Sequence, residues 1–181
     1  TFKTILVSVA VACLATTANA QIKNSAHDFS SNSWSGGEIC KPCHIPHNAN
    51  PSAGALWNHS LTNASYTLFD GSTGTVADID TKSRLCLSCH DGTVALDSFG
   101  GKTGTNFIPG SAKIGTDLTD DHPIGKEAVY PVAGQTGRWN PAVLSNGVYA
   151  VPGPNASDSK LRLASYTPAG GGAAQWVVAC S

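Results

Sequence analysis

The five-residue pattern C-x-x-C-H occurs twice in this chain, as C-K-P-C-H at 40–44 and as C-L-S-C-H at 86–90. At this spacing two thiols can add across the vinyl groups of one porphyrin, and the adjacent imidazole can reach the iron from the same side. Each motif would supply two thioether donors and one proximal iron ligand: Cys40, Cys43 and His44 in the first, and Cys86, Cys89 and His90 in the second. The sequence therefore predicts two covalently attached c-type haems.

A C-x-x-C pair is also typical of zinc sites and of redox dithiols of the thioredoxin kind. A zinc site made of four cysteines has no need of a histidine directly after both pairs. A dithiol enzyme would place one motif inside a βαβ unit. Because the full five-residue pattern is repeated, the sequence favours haem attachment over both alternatives.

Residues 1–20 have the pattern of a secretory signal peptide, with Lys3, an apolar run over 5–15 and an A-x-A cleavage site at 18–20. We expect cleavage before Gln21 and a single mature domain over 21–181. The apolar run is too short to span a bilayer, and no other stretch could do so. Lipid attachment at Cys13 is the alternative, but residues 10–12 match such signals poorly. Export to the periplasm, the cell surface or the extracellular space fits the haem prediction, because c-type attachment is completed outside the cytoplasm.

The charge of the chain argues against a nucleic-acid partner. Loss of Lys3 with the signal changes the formal net charge from −1 to −2, and no basic patch for nucleic acid is present.

Outside the signal, Cys180 is the one cysteine that the two motifs do not use. It follows the apolar residues 177–179, as each motif follows an apolar residue. We therefore expect Cys180 to be the first thioether donor of a third motif that continues beyond residue 181.

The chain contains six histidines and no methionine, so histidine is the expected second axial ligand of each iron. Histidine on both sides of the iron gives lower reduction potentials than a methionine and histidine pair. The candidate distal ligands are the histidines outside the two motifs: His27, His47, His59 and His122. These four would suit about four haems in a longer chain. Otherwise some bind no iron, or some ligate haems in a neighbouring subunit.

Little regular structure is predicted around these residues. The stretch 91–117 contains six glycines, and no amphipathic helix of ordinary length is evident over 21–181. Asn146-Gly147 between apolar flanks predicts a hairpin within a small antiparallel β element near 142–179. We therefore expect a mostly irregular fold with few short helices. Such a chain would hardly bury enough apolar area to offset about 1–2 kcal/mol of backbone ordering entropy per residue. The haems are expected to form its core.

Several blocks of the sequence resemble a known family. They are I-C-K-P-C-H-I-P-H-N-A, L-W-N-H, L-C-L-S-C-H-D-G-T-V-A-L-D and D-D-H-P-I-G, which lie between residues 39 and 125. The resemblance spans about 27–122, together with the approach to Cys180. These blocks resemble exported bacterial multihaem cytochromes with doubled C-x-x-C-H motifs, and among them most closely the tetrahaem subunits of extracellular cytochrome filaments. The resemblance implies His44 and His90 as proximal ligands and the remaining four histidines as the distal pool.

The resemblance also implies a function. Closely packed haems would pass single electrons along a homopolymer, between redox partner proteins and an external acceptor, without a substrate pocket. A distal histidine could serve a haem across a subunit boundary. The alternatives are a soluble periplasmic electron shuttle with the same haems and a multihaem reductase, which would need an iron with an exchangeable position. A purely structural surface protein is a further alternative.

Overall fold

The computed structural model describes residues 22–129, 144–145, 148–150 and 160–180. Most of these residues lie in turns and loops. Single-turn 3₁₀ helices occur at Phe29–Ser31, Ser33–Ser35, Val76–Asp78, Gly110–Ala112 and Gly125–Glu127. The predicted signal peptide and Cys13 lie outside the described residues. Within the described part of the chain, no helix is long and apolar enough to cross a membrane.

A short hairpin supports one side of the second motif. Strands β1 (Ser65–Thr67) and β2 (Thr73–Thr75) are antiparallel, with Tyr66 opposite Gly74. Leu68, fully buried, folds back over the hairpin and occupies the space that a side chain at residue 74 would need. Glycine at this position therefore lets the hairpin close over its own core.

The helix α1 (Thr81–His90) carries the second motif in its last turn. It begins at Asp80, whose carboxylate accepts a hydrogen bond from the N–H of Ser83 at 3.0 Å, as expected of an N-cap residue. Its buried face consists of Ser83, Leu87 and Ser88. Because two of these three residues are polar, the sequence lacks the apolar periodicity that would have predicted the helix.

The buried serines of α1 bond to other parts of the chain. The hydroxyl of Ser88 accepts from the N–H of Thr62 at 3.0 Å, and that of Ser83 accepts from the N–H of Cys180 at 3.0 Å. Around them lies a small apolar core of Tyr66, Leu68, Ile79, Leu87, Leu118 and Ile124. The helix thus joins the hairpin, the loop near 118–124 and the C-terminal segment.

Four further strands form an antiparallel sheet in the order β3-β4-β5-β6. They are β3 (Leu144–Ser145), β4 (Val148–Ala150), β5 (Lys160–Tyr166) and β6 (Gln175–Val178). These strands lie in the stretch where the sequence predicts an antiparallel element. The predicted Asn-Gly turn at 146–147 lies outside the described residues, but Leu144 pairs with Tyr149 across it.

The sheet has a core of its own, made of Ala128, Ala164, Tyr166 and Val177. It is tied to the rest of the described chain by a hydrogen bond from the N–H of Val178 to the carbonyl of Ala128 at 2.9 Å. Strand β6 then leads directly to Cys180, which packs against the first core. The sheet therefore positions Cys180, the candidate cysteine of a third motif, beside α1.

Candidate functional site

The first motif forms a tight turn in which the N–H of His44 donates to the carbonyl of Cys40 at 2.7 Å. Asn58 holds this turn from outside. Its backbone N–H donates to the carbonyl of Cys43 at 2.9 Å, and its side-chain amide donates to the carbonyl of Lys41 at 2.6 Å. The motif is thus clamped by a segment that follows it in the chain.

The second motif ends at the C-terminus of α1, where the following loop folds back over it. The N–H of Ile114 donates to the carbonyl of His90 at 2.7 Å. The next residue, Asp91, is buried, and its carboxylate accepts from the hydroxyl of Tyr66 at 2.8 Å and from the N–H of Thr93 at 2.7 Å. These contacts fix the direction in which His90 leaves the helix.

Both motif histidines are oriented in the same way, although one motif is a turn and the other a helix. The Nδ1 atom of His44 lies 2.8 Å from the carbonyl oxygen of Ala55, and that of His90 lies 2.7 Å from the carbonyl oxygen of Ala112. Because a carbonyl can only accept, Nδ1 is the donor in each ring, and in the neutral imidazole Nε2 then keeps its lone pair. A backbone carbonyl on the remote ring nitrogen is the arrangement that metal-binding histidines commonly show.

Residues 57–59 connect the two motifs. The indole ring of Trp57 lies edge-on to the ring of His44, with centres 6.0 Å apart, and edge-on to the ring of His59, at 6.4 Å. The Nε2 atom of His59 is 3.6 Å from the sulfur of Cys89. Two side chains, those of Trp57 and His59, therefore connect the histidine of the first motif to a cysteine of the second.

His59, a candidate distal ligand, is buried with both ring nitrogens near backbone carbonyls. Its Nδ1 lies 2.8 Å from the carbonyl oxygen of Ser60, and its Nε2 lies 3.0 Å from that of Ala95. A neutral imidazole has one N–H and can satisfy only one of these acceptors. Iron ligation through Nε2 would require His59 to move away from Ala95.

His27, another candidate, lies against the second motif. Its ring centre is 6.1 Å from that of His90, with an angle of 76° between the ring planes. Within the described residues, neither ring nitrogen of His27 has a hydrogen-bond partner. The structure therefore brings the N-terminal arm, residues 22–35, to the histidine of the second motif.

The other two candidates, His47 and His122, are exposed. The side chain of His47 has no hydrogen bond or ring contact to the described residues. The Nδ1 of His122 lies 2.7 Å from the carbonyl oxygen of Pro123, which again leaves Nε2 free. Neither histidine faces a motif histidine in the described part of the chain.

All five described cysteines are free thiols. Burial, with a smaller effect of the nearby Cys43 and Asp91, raises the pKa of Cys89 to about 12. Cys86 and Cys180 share a hydrogen bond, which raises the pKa of Cys86. The same hydrogen bond, together with one from Ser83, lowers the pKa of Cys180 to about 7. The thiols of α1 and of the C-terminal segment therefore lie side by side.

A cavity of about 350 Å³ adjoins each motif, a size at the lower end of the range for small-molecule sites. The cavity beside the second motif has mostly apolar walls, among them Leu87, Leu118 and Ile124, and it also contains His122 and Cys180. These apolar walls, together with the Nε2 atom of His122 and one thiol, are groups of the kind that would contact a porphyrin.

The cavity beside the first motif is more polar. Its walls include Trp34 and Phe99 together with the cations Lys41 and Lys102. Nearby, the Nε1 atom of Trp57 is buried and has no hydrogen-bond partner. A haem carries two propionate carboxylates. These could accept hydrogen bonds from the two lysines and from the indole N–H of Trp57. The residues around both motifs thus fit the predicted cofactor.

Sequence reasoning did not identify the groups that orient the motif histidines. They are the backbone carbonyls of Ala55 and Ala112, and a backbone carbonyl leaves no signal in residue type. The amide of Asn58, which clamps the first motif, was also missed. In the sequence, the only feature that pointed to Asn58 was its position directly before His59, a candidate ligand.

In the described part of the chain, no three His, Cys, Asp or Glu side chains form a group that could hold a metal ion by themselves. A haem iron needs only two axial protein ligands, since the porphyrin supplies the other four. No protein-family model and no curated protein matches the chain. The resemblance to multihaem cytochromes therefore rests on the motif blocks alone.

Proposed function

We propose that this chain is an electron-transfer protein that carries c-type haems at Cys40 and Cys43 and at Cys86 and Cys89. The observation that carries this proposal is the matching orientation of His44 and His90, each with Nδ1 bound to a carbonyl and Nε2 free. Each imidazole stands next to its own thiol pair, which suits two separate irons.

The bound haem would supply a one-electron iron couple. The residues of the chain would attach and orient the haem and shield it from water. Cys40, Cys43, Cys86 and Cys89 would hold the porphyrin as thioethers, and the hydrogen bonds from Nδ1 of His44 and His90 would fix the rings and increase the basicity of Nε2. The buried side chains around α1 would exclude water, and Lys41 and Lys102 would balance the negative charge of the propionates. With histidine on both sides, each iron would have a low potential and no open position, so the protein acts as a carrier rather than an enzyme.

The distal ligands come from His27, His47, His59 and His122. Cys180 is a candidate thioether donor for a further haem, and His122, in the same cavity, is available to that haem. This part of the proposal is supported by the cavity and by the close approach of Cys180 to Cys86.

At the level of assembly, the protein is a secreted subunit of an extracellular conductive filament. The support is the family resemblance and the exposed His47, which is free to bind a haem of a neighbouring subunit. The filament would exchange electrons with partner proteins or an external acceptor. A periplasmic shuttle would have the same haems without the polymer.

The test is expression of the full-length gene in a host with c-type maturation, followed by intact mass and peptide mapping of the mature protein. We expect one haem mass on each of the peptides that contain 40–44 and 86–90. The double variant Cys40→Ser/Cys43→Ser should lose the haem on the peptide that contains 40–44 and keep the one on the peptide that contains 86–90. A colourless protein with free thiols at both pairs would overturn the proposal.

Two further measurements on the same sample separate the alternatives. Purely low-spin ferric spectra that do not change with cyanide or nitrite indicate a carrier, whereas an iron that binds them indicates a reductase. Electron microscopy distinguishes fibres from the discrete particles of a shuttle.

A further inference from the structure

His27 and His90 lie together although they are distant in sequence. Their ring centres are 6.1 Å apart. Resting on the haem assignment proposed above, we infer that His27 is the distal ligand of the haem attached at Cys86 and Cys89. The two imidazoles would then hold one iron between them.

The spacing of the rings carries the inference. A bond from a metal to an imidazole nitrogen is about 2.0–2.1 Å, and ring bonds of about 1.33 Å place that nitrogen about 1.13 Å from the ring centre. Two imidazoles on opposite sides of one iron therefore have ring centres about 6.3–6.5 Å apart. The observed 6.1 Å lies just below this range, and the 76° between the planes is permitted because each ring can rotate about its bond to the metal.

Aromatic packing alone can also give edge-on rings at such distances. The hydrogen bonding favours ligation. The Nδ1 of His90 is bound to the carbonyl of Ala112, so Nε2 is the nitrogen left for a partner. His27 has no hydrogen bond from either ring nitrogen within the described residues, and the two rings do not hydrogen-bond to each other.

The arm is built to hold His27 in this place. The carboxylate of Asp28 accepts from the N–H of Asn24 at 2.7 Å and from that of Ser30 at 3.0 Å, which closes the turn around residue 27. The ring of Phe29 packs on that of Trp34 at 5.2 Å, and Trp34 packs on Phe99 at 6.2 Å. A polar arm thereby gains a fixed attachment to the body of the protein.

The rival for this iron is His59, because it touches the sulfur of Cys89. Both of its nitrogens are already near carbonyl oxygens, those of Ser60 and Ala95. Its ring packs on Trp57, on the side of the first motif, and not on His90. The geometry therefore assigns the second haem to His27.

The test compares His27→Ala, His90→Ala and the double variant in the haem-loaded protein. Intact mass is measured first, because the thioethers should keep every haem attached. Low-spin haems are then counted by magnetic circular dichroism. We expect His27→Ala to convert one haem to high-spin. The double variant should again affect one haem, since both residues serve the same iron.

The matched control is the double variant His27→Ala/His44→Ala, which should affect two haems because its residues serve different irons. Lys23→Ala, elsewhere in the same arm, should affect none. Added imidazole should restore the low-spin haem in His27→Gly, which a merely structural role of the arm would not allow.

Two results would overturn the inference: an unchanged low-spin count in His27→Ala, or two affected haems in His27→Ala/His90→Ala. Both differ from failure of the proposed function, in which the mass shows no haem on the peptide that contains 86–90.

Discussion

Replacement of Leu87 by alanine tests whether the second motif is part of the hydrophobic core as well as an attachment site. Leu87 lies between the two cysteines of the motif and is 1% exposed. It belongs to the first core and lines the cavity beside the motif. Lys41 occupies the same place in the first motif and is exposed. Leu87 and Lys41 therefore occupy the same place in the two motifs, but one is buried and the other is exposed.

Leu87→Ala and Lys41→Ala should differ widely in how much they lower the free energy of unfolding. Truncating a buried leucine to alanine removes transfer free energy and leaves a cavity, together about 2–5 kcal/mol. Because Leu87 is fully buried in the first core, we expect about 3 kcal/mol for Leu87→Ala. Lys41→Ala removes an exposed cation beside the proposed propionates, and because a surface ion pair contributes at most about 1 kcal/mol, the free energy of unfolding should change by no more than that. Both variants keep C-x-x-C-H and should carry the same number of haems.

Guanidinium unfolding of the haem-loaded protein, followed by far-ultraviolet circular dichroism, measures the difference. With a denaturant slope of about 2–6 kcal/mol per molar, Leu87→Ala should lower the midpoint by about 0.5–1.5 M. Intact mass confirms that both variants are fully loaded. If Leu87→Ala and Lys41→Ala shift the midpoint equally, α1 does not pack into the core as described and the reasoning fails.

Two other predictions concern the support of α1. Tyr66→Phe removes a hydrogen bond to the buried Asp91 carboxylate and should cost about 1.5–3 kcal/mol. Burial raises the pKa of Tyr66 above its ordinary value of 10.0. The unfolded chain therefore ionises first, so stability is lost as pH rises beyond about 10, and Tyr66→Phe should weaken that loss in alkaline titrations of stability. Gly125→Ala places a Cβ against the carbonyl of Asp78 at a φ of +58° and should cost at least about 2 kcal/mol. At Gly110 a Cβ meets nothing within 4 Å, so Gly110→Ala should be near neutral, and equal thermal midpoints for the two variants would contradict this account.

The regular elements differ in how far the sequence could predict them. The antiparallel stretch near 142–179 has local signals, an Asn-Gly pair and alternating residues, and four strands lie there. Helix α1 has a buried face of Ser83, Leu87 and Ser88, whose polar members bond to distant segments. The hairpin of β1 and β2 depends on Leu68 filling the space above Gly74. Neither element could be predicted from periodicity, because both depend on partners far away in the chain.

For the site, the sequence alone determined the proposed chemistry: which thiols pair with which histidine is a matter of spacing within five residues. It also limited the candidate second ligands to four histidines, since the chain has no methionine. Only the tertiary structure decided that carbonyls of Ala55 and Ala112 orient the motif rings and that the N-terminal arm brings His27 to His90. A covalent motif is local, whereas the orientation of an imidazole depends on whichever backbone atoms the fold brings beside it.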